Sequence, residues 1–311
     1  MATLLRKPPC LIFVLLAVAS SMQPCIHVSA SVPCYFIFGD SMVDSGNNNR
    51  LSTSAKVNYP PYGIDFPAGP TGRFTNGKTL ADIITEHLGL KDYIQPFATA
   101  TESEMMNGVN YASGSSGIRD EAGNNDYIND YFLPCSATST QYTPDEFAGV
   151  LIDHYSKQIR TLHDAGARKI ALFGLGAIGC TPNSIVLFGK NGKCAENITG
   201  AVRLFNGRLK SLVDQLNKEL TDSKVIYINS MGTLGGNPTK LGFKVFNSSC
   251  CQVNNVGLCN PSSIACPNRN EFIFWDSFHP TEAMNKITAE RAFHAADPSD
   301  AYPFGISQLV A

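Results

Sequence analysis

Four short apolar runs in this chain show no polar alternation: "YFIF" at 35–38, "KIALFGL" at 169–175, "KVIYIN" at 224–229 and "EFIFW" at 271–275. A strand with one wet face alternates apolar and polar residues, so runs like these belong to strands buried on both faces, as in a parallel sheet covered by helices. Helical patterns lie between them. In "DEFAGVLIDHYSKQIRTLHDAG" residues Phe147, Val150, Leu151, Ile159 and Leu162 recur at roughly helical spacing, and Gly166 suits the C-terminal cap. Val202, Phe205, Leu209, Leu212, Val213, Leu216 and Leu220 form one face of a second helix around 197–220, and "TLADIITEHLGL" at 79–90 and "TEAMNKITAERAFH" at 281–294 read as two more. Strands alternating with helices of this length predict a doubly wound α/β fold.

The chain has 311 residues, 43% apolar, enough for a sizeable core. Residues 1–30 read as a secretory leader: Arg6 and Lys7, the uncharged run "LIFVLLAVA" at 11–19, then "VSA" at 28–30 with small residues suited to cleavage. That run is far short of the ~20 residues that span a bilayer, so a transmembrane segment is not expected. Residues 31–311 then form one domain, with the glycine- and proline-rich stretch 231–270 a disulfide-pinned excursion within it. The formal net charge of -2 becomes more acidic once Arg6 and Lys7 are lost, which gives no reason to expect nucleic acid or anionic membrane as a partner.

Cysteine usage agrees with export. Cys34, Cys135, Cys180, Cys194, Cys250, Cys251, Cys259 and Cys266 follow the leader, an even number that predicts disulfides without choosing a pairing. The cluster "CCQVNNVGLCNPSSIAC" lacks a C-x2-C pair, so disulfides are favoured over a zinc knuckle. The sequons at Asn197 and Asn247 would accept glycans on the surface of a secreted chain.

The first run ends in "GDSMVDSGNNN", which puts Ser41 at the carboxyl end of a strand, where sites collect in doubly wound sheets. A serine nucleophile needs a base, and the base an orienting acid. His87, His154, His163 and His294 fall on the predicted helices and read as solvated or packed helical residues. His279 differs: "WDSFHPTE" sets Asp276 three residues before it at a strand end, so one compact turn can hold the aspartate on one ring nitrogen and leave the other for a hydroxyl. Two rival motifs fit worse. "GLGAIG" at 174–179 matches G-x-G-x-x-G after a strand, but Pro182 interrupts the helix a dinucleotide would need. The oxygen-rich "MVDSGNNN" lacks the alternating ligands and late glutamate of a calcium loop.

"GDSMVDSGNNN" and "DSFHPTE", with "RFTNGKTLADIITEHLGL" at 73–90, "GVNYASGSSGI" at 108–118, "NDYINDYF" at 125–132 and "GARKIALFGLGAIGCTP" at 166–182, resemble in order the blocks of the plant GDSL esterase/lipase family of SGNH hydrolases. The resemblance implies a three-layer α/β/α, flavodoxin-like fold. It implies hydrolysis of acyl esters of lipids or small molecules, with Ser41 as nucleophile, His279 as base and Asp276 as its orienter, and with no metal or organic cofactor. It also implies an oxyanion hole built from the N–H groups of Ser41 and Gly108 and an asparagine amide in a G-x-N-D block, for which "GNND" nominates Asn125. In the family a long stretch with a strand precedes that block. Here Gly117 and Asn125 are eight positions apart, shorter than any parallel crossover. The sheet is therefore expected to lack a central strand, as in a spliced, truncated or mis-assembled form with impaired folding or activity. The alternative is a catalytically silent secreted protein that binds glycan or lipid.

Overall fold

The computed structural model of the chain describes residues 32–119, 127–235 and 238–311. The expected leader and Asn125 lie outside the described residues. The helices are α1 (Leu80–His87), α2 (Glu102–Met105), α3 (Ala137–Gln141), α4 (Pro144–Asp164), α5 (Pro182–Phe188), α6 (Glu196–Glu219), α7 (Ser230–Gly235), α8 (Glu282–His294) and α9 (Ile306–Val310). The strands are β1 (Lys169–Phe173), β2 (Lys224–Ile228), β3 (Val245–Ser249), β4 (Phe272–Phe274) and β5 (Ala301–Tyr302).

Helix starts follow local chemistry. Thr143 caps α4 by accepting from the Glu146 N–H while the Glu146 carboxylate takes the Thr143 N–H, and Pro144 fills the first turn, where no donor is needed. Thr79 and Asp82 repeat that box at α1. Thr281 caps α8, so the helix begins after Pro280.

β2 explains its unalternating sequence. Val225 and Tyr227 face a core shared with Phe147 and Leu151 of α4, Phe205, Leu209 and Leu216 of α6, and Ile170 and Leu172 of β1. Ile226 and Ile228 face the opposite core with Ile83 and Ile84 of α1, Ala289 and Phe293 of α8, and Ile306 and Leu309 of α9. Full burial of each such side chain contributes ~1.5–3 kcal/mol, which makes a polar residue costly on either face.

The expected single parallel sheet is corrected. β1 and β2 are parallel, but β2 pairs antiparallel with β5, and β3 and β4 form a separate parallel pair. "YFIF" runs extended in its own ladder: the Tyr35 and Ile37 N–H donate to Asn107 O and Val109 O, and the Tyr111 and Ser113 N–H donate to Ile37 O and Gly39 O. Residues 95–97 pair with the outer side of this ladder through Asn110. Its other edge is open: among the described residues the N–H groups of Phe36 and Phe38 meet no protein acceptor, and the two rings are 47% and 52% exposed. No described residue between the ladder and β1 forms a strand that could join the two edges.

The eight predicted disulfide cysteines resolve into Cys180–Cys194, Cys250–Cys266 and Cys251–Cys259, with Cys34 and Cys135 as free thiols.

Candidate active site

Ser41 follows the ladder strand on a turn in which the Val43 and Asp44 N–H both donate to Asp40 O. The turn is fixed by side chains. Asp44, with no solvent exposure, accepts from the N–H of Gly46, Asn47 and Gly114 at 2.7, 2.8 and 2.9 Å. Burial nevertheless pushes its carboxyl above the usual range, against the pull of those N–H groups. Asn47 donates to Asn110 O and Ala112 O, Asn48 to Ala55 O and Gly114 O, and Asn110 returns a bond to Val43 O. The amide groups of Asn47, Asn48 and Asn49 thus all go to backbone carbonyls, as in a polar turn.

His279 arrives from the other end of the chain. β4 ends at Phe274, and the buried turn 275–279 closes when the Trp275 N–H donates to His279 O. Asp276, with no exposure, accepts from the N–H of Phe278 and His279, both at 2.8 Å, and holds the His279 Nδ1 at 2.8–2.9 Å. The other ring nitrogen, Nε2, lies 2.8 Å from the Ser41 Oγ. Because the carboxylate occupies Nδ1, that nitrogen carries the ring's hydrogen and Nε2 is left to accept one from serine.

One partner gave no clear signal in the sequence. The Tyr62 hydroxyl donates to the Asp276 Oδ2 at 2.7 Å and accepts from the Cys259 N–H at 2.9 Å. Tyr62 is 1% exposed, and its burial, reinforced by the negative Asp276, drives its pKa strongly upward, so it stays a donor at any working pH. The Cys251–Cys259 disulfide therefore pins the residue that orients the acid's partner. Phe74 packs on the His279 ring with centroids 4.9 Å apart.

One nominated residue does not join this group. Gly108 donates its N–H to Met105 O and lies against Tyr35, near the start of the ladder strand, whereas Ser41 follows its end. The turn at 113–116 is what reaches that end: the Ser113 N–H and the Ser116 hydroxyl both donate to Gly39 O. Asn125 is outside the described residues. Two of the three "GLGAIG" glycines serve packing, while Gly176 faces open space. A side chain on Gly174 would strike Tyr227, and one on Gly179 would strike Ala195 O. The loop then reaches the histidine turn, where the Asn183 N–H donates to Ser277 O. Phe66 and Phe74 are core, while Tyr111 is 40% exposed and stacks on Phe38. Asn197 and Asn247 are both exposed.

The family profile for GDSL-like lipase/acylhydrolase matches residues 35–122 and 121–292. Among curated proteins, the Arabidopsis thaliana GDSL esterase/lipase At4g18970 is 42% identical over 355 aligned positions, covering 96% of this chain and 98% of the relative. Two further Arabidopsis thaliana proteins, GDSL esterase/lipase At5g45670 and At1g29670, are 41% and 42% identical over 354 positions, with 96% of this chain and 98% and 97% of theirs covered. The 355-position alignment is longer than this chain's 311 residues by 44, so the relatives carry at least that much sequence that this chain lacks.

Proposed function

Because this chain belongs to the plant GDSL esterase/lipase family of SGNH hydrolases, and is thereby a carboxylic ester hydrolase, we propose that it cleaves acyl esters through an acyl-enzyme on Ser41, with His279 as base and Asp276 as orienter. The observation that carries this reading is the continuous hydrogen-bonded line from Tyr62 through Asp276 and His279 to the Ser41 Oγ. As Ser41 attacks the ester carbonyl, its proton passes to the His279 Nε2 and Asp276 stabilises the imidazolium. His279 then returns that proton to the departing alkoxide, and water repeats the sequence to release the acid. The Ser41 N–H, which among the described residues donates to no protein acceptor, serves as an oxyanion donor. Each such donor is worth on the order of 100- to 1000-fold in rate.

The shortened sheet belongs to the same reading. Two profile matches that meet at residues 121–122, the unfilled positions of the alignment, at least 44, and the open edge at Phe36 and Phe38 support loss of one central strand from a three-layer doubly wound fold. Export is proposed from residues 1–30, with three disulfides as support, to the cell exterior or wall. The open edge also favours a second reading, in which the shortened chain binds glycan or lipid without turnover. A fluorophosphonate probe, which reacts with activated serines, separates the two. Labelling of the wild type but not of Ser41→Ala supports catalysis, and no labelling of a chain with a cooperative melting transition overturns it.

A further inference from the structure

Among the described residues, His87, Glu290 and His294 form a group whose three ligand atoms all lie within 4.8 Å of one another. His87 is the last residue of α1, and Glu290 and His294 stand one turn apart in the final turns of α8, which packs on α1. The two carboxylate oxygens of Glu290 face one histidine each: Oε2 lies 3.4 Å from the His87 Nε2, and Oε1 lies 3.5 Å from the His294 Nε2. Those separations are longer than the roughly 2.7–2.9 Å of a charge-assisted hydrogen bond. Each separation is close to the ~3.4 Å edge of a tetrahedron whose ligands lie about 2.0–2.2 Å from an ion, and since the two end on different oxygens, a turn of the carboxylate brings one oxygen to both histidines, all three ligand atoms already lying within 4.8 Å of one another.

The surroundings suit a cation. Phe293, 8% exposed, stacks on the His87 ring at 4.8 Å and meets the His294 ring edge-on at 5.1 Å, which limits how far either imidazole can turn away. Both helices end here, and the negative ends of their dipoles favour positive charge. The side chains of His87, Glu290 and His294 are 25%, 61% and 50% exposed, so an ion can enter from solvent and keep a water as fourth ligand.

We propose that His87, Glu290 and His294 bind a divalent transition ion of the zinc class, held by two imidazoles, one carboxylate and water. The site is separate from the active site: His279 precedes the N-terminus of the 13-residue α8, and His294 closes its other end, about 20 Å away at 1.5 Å per residue. An ion there clamps α1 to α8. It takes no part in ester hydrolysis.

The test is calorimetric titration of zinc chloride into chelator-treated, full-length protein, alongside thermal melting with and without zinc. The wild type is expected to bind one equivalent and to melt at a higher temperature when loaded. Glu290→Gln is expected to weaken binding by at least ~10-fold, the lower bound for removing even an outer partner of a metal ligand, and His87→Gln/His294→Gln is expected to abolish it. The zinc-free melting transition of each variant establishes that it has folded. Zinc captured by the catalytic histidine would survive in the double variant. Binding of unchanged affinity in that variant, or no saturable binding by the wild type, overturns the proposal.

Discussion

The turn that carries Ser41 and the sheet edge just before it are adjacent in sequence and built on opposite principles. The side chains of Asp44, Asn47, Asn48, Asn49 and Asn110 are committed to backbone groups of residues 43, 46, 47, 55, 71, 110, 112 and 114, and the histidine turn is closed by Asp276 in the same way. The preceding strand instead leaves two N–H groups without a partner among the described residues and two phenylalanines half exposed. Local side-chain-to-backbone bonds can hold a constellation in place without a continuous sheet beneath it, whereas stability is collected from area buried across the whole sheet. Geometry and stability are thus separable in this chain, and the geometry around Ser41 is the better protected of the two.

The sharpest way to break that contrast is chemical. Ser41→Ala is expected to lower ester hydrolysis by at least ~10⁴-fold and to end fluorophosphonate labelling, and Asp276→Asn to cost about 10⁴-fold by presenting the wrong imidazole tautomer. Combining the two should add little, because the residues act as a unit. Rates of p-nitrophenyl ester hydrolysis measure this, and a double variant that loses the product of the single effects would show that the two do not share one mechanism.

The next largest effect concerns the open edge. Inserting a relative's additional segment where the two family-profile matches meet, at residues 121–122, should pair the Phe36 and Phe38 N–H groups and bury their rings, at ~1.5–3 kcal/mol per side chain. For a chain of this size that raises the melting temperature by roughly 10 °C and lowers binding of an apolar dye. An unchanged melting temperature in the restored chain would mean that this edge is not what limits stability.

The Tyr62 network lies between the two regions. Tyr62→Phe leaves the Cys259 N–H without its acceptor and Asp276 short of one donor, for an expected loss of ~1–3 kcal/mol. Replacing Cys251 and Cys259 by serine opens a short loop, of sequence separation 8, at about 2.5 kcal/mol in the chain-entropy account. Both should lower kcat by loosening Asp276 while leaving KM nearly unchanged. Urea melts and steady-state kinetics check this; a change confined to KM would contradict the positioning role.

Much of this was legible in the sequence because its causes are local. β1, β2 and β4 and the long helices α4, α6 and α8 form where unalternating runs and helical spacing put them. Asp276 and His279 could be paired on paper because one turn joins them. Tyr62 could not: it lies 214 residues from Asp276, and "YPPYG" carries no spacing that points to an acid. Gly108 was misplaced because G-V-N-Y-A-S-G offers two glycines, and only the second, Gly114, lies at the strand end, where Asp44 takes its N–H. β5 escaped notice because two residues hold no periodicity, and the break in the sheet was visible only as a spacing too short for a crossover.

The smallest expected effect lies on the surface of the ordered region, where Arg269 forks onto both Asp65 oxygens at 2.5 and 2.6 Å. That fork, ahead of the opposing cost of partial burial and with help from Asn76, holds the Asp65 carboxyl below its ordinary range. A carboxyl whose pKa is lower in the folded than in the unfolded chain adds stability above its unfolded value near ~4, and loses it as the pH falls through the folded value. The two side chains are 27% and 30% exposed, so solvent screening holds the contribution to about 1 kcal/mol or less. Arg269→Met should therefore destabilise by that amount at neutral pH, and the gap between wild-type and variant stability should close as the pH drops below ~4. A gap that persisted unchanged in acid would assign the loss to the packing of the Arg269 stem instead of its charge.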